Sequence, residues 1–207
     1  NKYYGIADRN YGGHKLEKMK CVIYDYETLS QNAFNGVVLS VAGIAYDEDR
    51  FLTNPYTYEE LLDSCEYVKF DVKDQVKYGR KVEKGSLDWW KSQSKDAQKQ
   101  LMPSDNDVSI SELLLFLERL NIATAKKVFT RGNSFDPVFT RSICDSLGIA
   151  DPTPWWVIRD VRSYIDGFTY GTDINHDFIP KDLVDKFVQH DPEHDVAMDG
   201  IRMHFLI

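Results

Sequence analysis

A mixed α/β domain is the architecture this sequence predicts, from three observations. Two strand-like apolar runs follow one another near the start, a helix leads directly into a third buried strand, and a further helix carries clear start and stop signals. The chain has 207 residues, 43% of them hydrophobic and 13% aromatic, enough for the core of one domain. We assign residues 20–207 to that domain. Residues 1–19 are polar, contain Gly and Tyr, and lack the basic-then-apolar pattern of a secretory signal. They read as an appended arm, with Met19 itself a candidate start.

Cys21–Glu27 is β-rich, and 37–46 (VVLSVAGIAY) is nearly continuously apolar, as expected for two adjacent central strands. The gap between them holds Ser30, Gln31, Asn32, Asn35 and Gly36, the composition of a hairpin-like connection. A third strand is expected around Phe51 or Val68. Ser111–Leu120 (SELLLFLERL) reads as a helix capped by Ser109 or Ser111, and it leads into the short buried strand 128–130. Asn133–Pro137 opens another helix that ends near Leu147, with Gly148 as its stop. Residues 155–161 are aromatic and β-branched, 180–188 looks like a short helix, and 193–206 looks like the last one. The tryptophan pairs Trp89-Trp90 and Trp155-Trp156 are expected to pack, because large aromatics dominate cores. No internal repeat or low-complexity tract points to a second domain.

Lys and Arg total 25 against 33 Asp and Glu, a formal charge of −8, and no apolar run approaches the roughly 18 residues of a membrane span. Membrane-spanning and compositionally disordered classes are thereby excluded. Cys21, Cys65 and Cys144 lie far apart, are odd in number and form no CxxC pair, which argues against a disulfide scaffold or a structural zinc site. A reducing, cytoplasmic setting is expected. Between Lys69 and Lys99, nine basic residues face five acidic ones, a local balance of +4 on an acidic chain. Such a segment is either a solvated helix surface or a surface that contacts phosphates.

Asp25 and Glu27 are one residue apart on a predicted strand, so the period-2 geometry sends both carboxylates to the same face. Like charges that close raise each other's pKa and are comfortable only in water or around a cation with oxygen ligands. Asp136 falls in the first turn of its helix, where the helix dipole favours a carboxylate whatever its function. In the run His190-Asp191-Pro192-Glu193-His194-Asp195, Asp191 suits an N-cap and Pro192 the first helical position. That places Asp195 in the first turn and His190 on the loop before it. An imidazole there has the pKa of a general base near neutral pH.

Taken together, Asp25-Tyr26-Glu27-Thr28, then Asn133-Ser134-Phe135-Asp136, then His190 with four residues before Asp195 resemble, in order and spacing, the three motifs of DnaQ-like 3′–5′ exonucleases of the DEDDh type. The likeness is strongest to phage members of that family, and further segments carry it: Gly85 to Ser94, Pro103-Ser104-Asp105 and Arg159-Asp160-Val161-Arg162. It implies an RNase H-like fold with a central mixed sheet flanked by helices, and a site for two divalent ions, Mg²⁺ or Mn²⁺. Asp25 would bridge both ions, Glu27 and Asp195 would complete the shell of the first, and Asp136 would support the second. His190 would take the proton of the attacking water; the motif spacing selects it over His194. Thr28, Leu29 and Phe135 are the implied substrate contacts, although Phe135 also suits the core, and Asp160 and Arg162 suit a structural ion pair. The implied activity is metal-dependent 3′–5′ hydrolysis of DNA, single-stranded by preference, to nucleoside 5′-monophosphates. An exoribonuclease or oligoribonuclease with the same five residues is the alternative, and a non-catalytic nucleic-acid-binding module the more remote one. The implied partner is a DNA 3′ end, with no membrane and no obligate protein partner.

Overall fold

The computed structural model describes residues 20–205; the arm 1–19 and residues 206–207, which include the last residue of the expected final helix, lie outside them. Five strands form one sheet: β1 Cys21–Thr28, β2 Val38–Tyr46, β3 Glu66–Lys69, β4 Lys127–Thr130 and β5 Ile158–Asp160. Among the described residues eight α-helices surround it: α1 Arg50–Thr53, α2 Tyr58–Asp63, α3 Val72–Lys77, α4 Lys84–Ser92, α5 Leu113–Arg119, α6 Asp136–Leu147, α7 Val161–Thr169 and α8 Pro192–His204. No helix among the described residues is long and apolar enough to cross a membrane.

The sheet order is β3-β2-β1-β4-β5, with β1, β2 and β3 antiparallel and β1, β4 and β5 parallel, so the sheet is mixed as expected. The strand β1 lies at its centre. Its alternate residues divide between two cores. Val22, Tyr24 and Tyr26 face Leu113, Phe116, Phe139 and Ile143 of α5 and α6. Cys21 and Ile23 face Leu61 of α2, Ile165 of α7 and Val196 and Ala197 of α8. Asp25 and Glu27 continue the second set, so the pleat that buries Ile23 against α8 also turns both carboxylates toward it. Helix α8 can come this close because residue 200 is glycine: a Cβ there would lie 2.9 Å from Leu61 Cδ1 and 3.6 Å from Ile23 Cδ1.

Most expected elements are present, with corrections. The third strand runs through Val68, whereas Phe51 belongs to a single helical turn. The segment after Pro180 is a chain of turns and not a helix. Only Leu183 buries its side chain between Lys181 and Lys186, too little apolar surface to repay helix nucleation. Trp90 packs in the core, but Trp89 is 44% exposed, Trp155 72% and Trp156 62%. The last two sit on a 3₁₀ turn at the free edge of the sheet, with no element beyond β5 to cover them. The three cysteines are free.

Because Gly200 sets the approach of α8 to β1, Gly200→Val should overpack this contact. We expect a loss of about 1–3 kcal/mol in urea unfolding. Unaltered stability would show that the helix has room to spare.

Candidate active site

Five residues separated by up to 170 positions in sequence meet at one end of the sheet. Asp25, Glu27, Asp136, His190 and Asp195 all line a cavity of about 440 Å³, together with Phe135, Arg131, Arg162, Asp177 and Arg202. Each arrives by a local device. Asp25 and Glu27 project from the C-terminal half of β1. Asp136 is the first residue of α6, followed by Pro137, which tolerates that first turn because the amide it lacks has no partner there anyway. Asp191 caps α8 by accepting from the Glu193 amide at 3.2 Å, and Pro192 follows, which sets Asp195 in the first turn.

His190 has φ +64, a left-handed conformation uncommon for a side chain with a Cβ. Its backbone N–H donates to Asp195 Oδ2 at 3.0 Å, and its ring stands edge-on to Trp89, centroids 4.8 Å apart. These contacts hold a strained residue beside the carboxylates, where strain accompanies function more often than elsewhere. Half-burial lowers the pKa of the imidazole, so the neutral, proton-accepting form prevails at neutral pH. His194, the competitor, points away: its Nδ1 lies 2.7 Å from the Tyr58 hydroxyl.

The carboxylates repel one another. Glu27 is 7% exposed and Asp136 2%. Burial first, and then Asp25 and Asp195, push Glu27 well above the usual carboxylate range. Burial and then Asp25 do the same to Asp136, and burial followed by Asp25 and Asp199 raises Asp195. Asp25 is pushed up to about 7 by burial and by Asp199, against the pull of Arg131 and Arg162. A cluster that resists ionisation without counter-charge, offering hard oxygen donors, fits a divalent cation. Glu27, His190 and Asp195 offer ligating atoms within 4.8 Å of one another.

Behind the cluster lies a layer that sequence reading missed. Asp199 follows Asp195 by one helical turn on the same face of α8. It accepts from Arg131 Nε at 2.9 Å and Nη2 at 2.7 Å, and from Arg202 Nη1 at 3.2 Å. Arg131 Nη1 reaches Asp177 at 2.6 Å, and Arg202 donates to the carbonyls of Phe178 and Asp177. The loop 175–179 is thereby tied to α8 and brings Asp177 and Ile179 to the cavity wall. The i, i+4 spacing of Asp195 and Asp199 was the available signal.

A second cavity, of about 640 Å³, shares Tyr26, Glu27 and Phe135 with the first and is otherwise lined by Thr28, Gln31, Glu83, Gly85, Ser86, Trp89 and Trp90. Of the expected substrate contacts, Thr28 and Phe135 face it. Phe135 also packs edge-on to Phe139, centroids 5.0 Å apart. Leu29 does not line either cavity: it is buried with Val37, Leu39, Trp90 and Ala97. The basic segment contributes α4, whose Trp90 Nε1 donates to the Thr28 carbonyl at 2.8 Å and so fixes one wall of this cavity. Its arginine, Arg80, is buried and donates to the Gly36 carbonyl and Ser142, while Lys77, Lys91 and Lys99 pair with acids three residues away. Asp160 caps α7 through the Ser163 amide and does not pair with Arg162.

Residues 20–196 match a family model described as the 3′–5′ exoribonuclease Rv2179c-like domain. The chain belongs to this family of 3′–5′ exonucleases. The exonuclease is 32% identical to an exodeoxyribonuclease of Enterobacteria phage T4 over 203 residues, covering 89% of the chain and 88% of the relative. Its fold is that of DnaQ-like exonucleases, as seen in E. coli exonuclease I. Against the zinc-bound exonuclease I–ssDNA complex the TM-score is 0.58 at 15% identity, over 89% of this chain and 40% of the other. Against the complex of exonuclease I with an SSB C-terminal segment it is 0.59 at 13%, over 90% and 41%. The exonuclease therefore spans about two fifths of those longer chains.

The raised carboxyls set the sign of a pH effect. An acid whose pKa is higher folded than unfolded binds protons preferentially in the folded state between about 4 and 7, so stability is greatest on the acid side and falls as pH rises toward 7. In EDTA, the thermal midpoint at pH 8 should rise by several degrees in Asp25→Asn, from relief of ~1–2 kcal/mol of repulsion at about 2–4 °C per kcal/mol. Mg²⁺ should stabilise the wild type more than this variant. A midpoint lowered by the substitution in EDTA would show that the carboxylates do not strain the fold.

Proposed function

We propose that this exonuclease removes nucleotides from the 3′ ends of single-stranded DNA and releases nucleoside 5′-monophosphates. The observation that carries this reading is the convergence of four mutually repelling carboxylates and one half-buried imidazole on a single cavity, beside a second, aromatic-walled one. Preference for DNA draws on the T4 exodeoxyribonuclease, which is similar along nearly its whole length.

In this reading, Asp25, Glu27, Asp136 and Asp195 would hold two divalent ions, Mg²⁺ or Mn²⁺. When bound, such a pair supplies the positive charge that stabilises the attacking and leaving oxygens of an in-line displacement. The chain's own residues do the rest. His190, neutral and steadied by Trp89 and by its amide bond to Asp195, accepts a proton from the attacking water on Nδ1 or Nε2. Phe135, on the wall common to both cavities, and Thr28, in the second, would contact the last nucleotides of a bound strand. Trp89 and Trp90 offer aromatic surface to an unpaired base, a contact every base can make. The adjacent Leu29 supports that wall from within the core.

An exoribonuclease is the second reading, favoured by the description of the matching family model. The two readings separate on contacts to the 2′-hydroxyl of the terminal nucleotides.

Digestion of 3′- and 5′-labelled single-stranded DNA, duplex DNA and RNA in Mg²⁺ tests this function. Labelled mononucleotide should leave 3′-labelled single strands at once, 5′-labelled DNA should shorten as a ladder, and RNA should change little. Faster loss of RNA would establish the ribonuclease. Asp25→Ala should abolish hydrolysis at every Mg²⁺ concentration, and undiminished turnover would remove Asp25 from the chemistry. His190→Ala should lose about 10²–10⁴-fold in rate with metal binding retained. A wild-type pH–rate profile in that variant would transfer the base role to another group.

A further inference from the structure

We propose that Arg162 is a phosphate-binding residue of the active site, its guanidinium contacting a non-bridging oxygen of the scissile phosphodiester. The inference deepens the nuclease reading and rests on it. Arg162 is the second residue of α7, and its solvent-exposed side chain lines the mouth of the carboxylate cavity. Its Nη1 lies over Gly132, 3.9 Å from where a Cβ would stand. The guanidinium is near enough to Asp25 and Asp136 to draw the pKa of both carboxyls down.

The cavity's other arginines are committed elsewhere. Arg131 is held by Asp199 and Asp177, and Arg202 by Asp199 and two backbone carbonyls. Among the described residues, Arg162 alone of the three makes neither a hydrogen bond nor an ion pair within 4.0 Å. It is a cation in the first turn of a helix, where the dipole disfavours positive charge. An anion brought to the cavity would give the side chain a partner, since the Asp160 carboxylate that caps the helix is engaged by the Ser163 amide.

Charge supports the same assignment. Two divalent ions would neutralise the four carboxylates, which leaves the negative charge of an arriving phosphodiester, and the further charge it gathers as water attacks, for a protein cation to meet. A guanidinium suits this better than an ammonium, because its planar fork can give two parallel hydrogen bonds to one phosphate.

The test compares wild type, Arg162→Ala and Arg162→Lys on 5′-labelled single-stranded DNA in Mg²⁺, with calorimetric titration of thymidine 5′-monophosphate alongside. In Arg162→Ala, kcat/KM should fall about 10²–10³-fold, as for loss of one preorganised oxyanion donor, while urea unfolding in saturating Mg²⁺ stays cooperative. Arg162→Lys should recover part of the rate, and added guanidinium chloride should partly rescue the alanine variant but not the wild type. Affinity for thymidine 5′-monophosphate should fall at least about tenfold in Arg162→Ala. Wild-type kcat/KM and wild-type monophosphate affinity in Arg162→Ala would overturn the inference. A wild type that releases no nucleotide from the 3′ end in Mg²⁺ would instead overturn the nuclease reading beneath it.

Discussion

Four carboxyl groups share the end of one sheet and push one another's pKa values upward, and much of the surrounding structure is arranged to keep them together. Burial and mutual repulsion both oppose their ionisation, so without a counter-charge the cluster costs stability. The fold meets that cost by placing each acid on an element held by other forces. Asp25 and Glu27 lie on the central strand, which pairs on both sides. Asp136 and Asp195 open helices whose later residues are buried in the two cores. A site built this way carries stored repulsion that a divalent cation would release, which links metal binding to folding stability.

The layer behind the cluster makes the arrangement specific. Asp199 is an acid whose partners, Arg131 and Arg202, are already in place, so it adds a buried ion network and no free charge. The same two arginines tie the 175–179 loop to α8. Removing one partner of such a network leaves a buried charge uncompensated, which costs far more than an exposed pair contributes. Arg131 therefore stands as a structural residue at the site and Arg162 as the cation still free to meet a ligand.

Divergence from the longer exonuclease I chains is consistent with this picture. Sequence identity is about 15% against the exonuclease I chain at a TM-score of 0.58, so the overall fold is shared while most residues differ. Cores tolerate exchange of apolar residues if volume and pattern are kept, whereas a site requires particular chemical groups in particular places. Family membership was accordingly legible in a few short motifs and not in overall composition.

The alternation on β1, the start signals of α6 and α8, and the ordered acid motifs determined the fold class and the five candidate residues, because these depend on spacing within short segments. The pleat has a period of 2, and an N-cap acts over three residues, so both can be read from the chain alone. Tertiary structure alone decided the rest. Trp89 meeting His190 and Arg131 bonded to Asp199 join residues 101 and 68 positions apart, and Arg162 is left unpaired by the same packing, set by how two cores draw separate helices onto one sheet. The same physics explains the misread segments. A helix after Pro180 needed apolar contacts it does not find, and Trp155 and Trp156 needed a covering element that the end of the sheet at β5 does not provide.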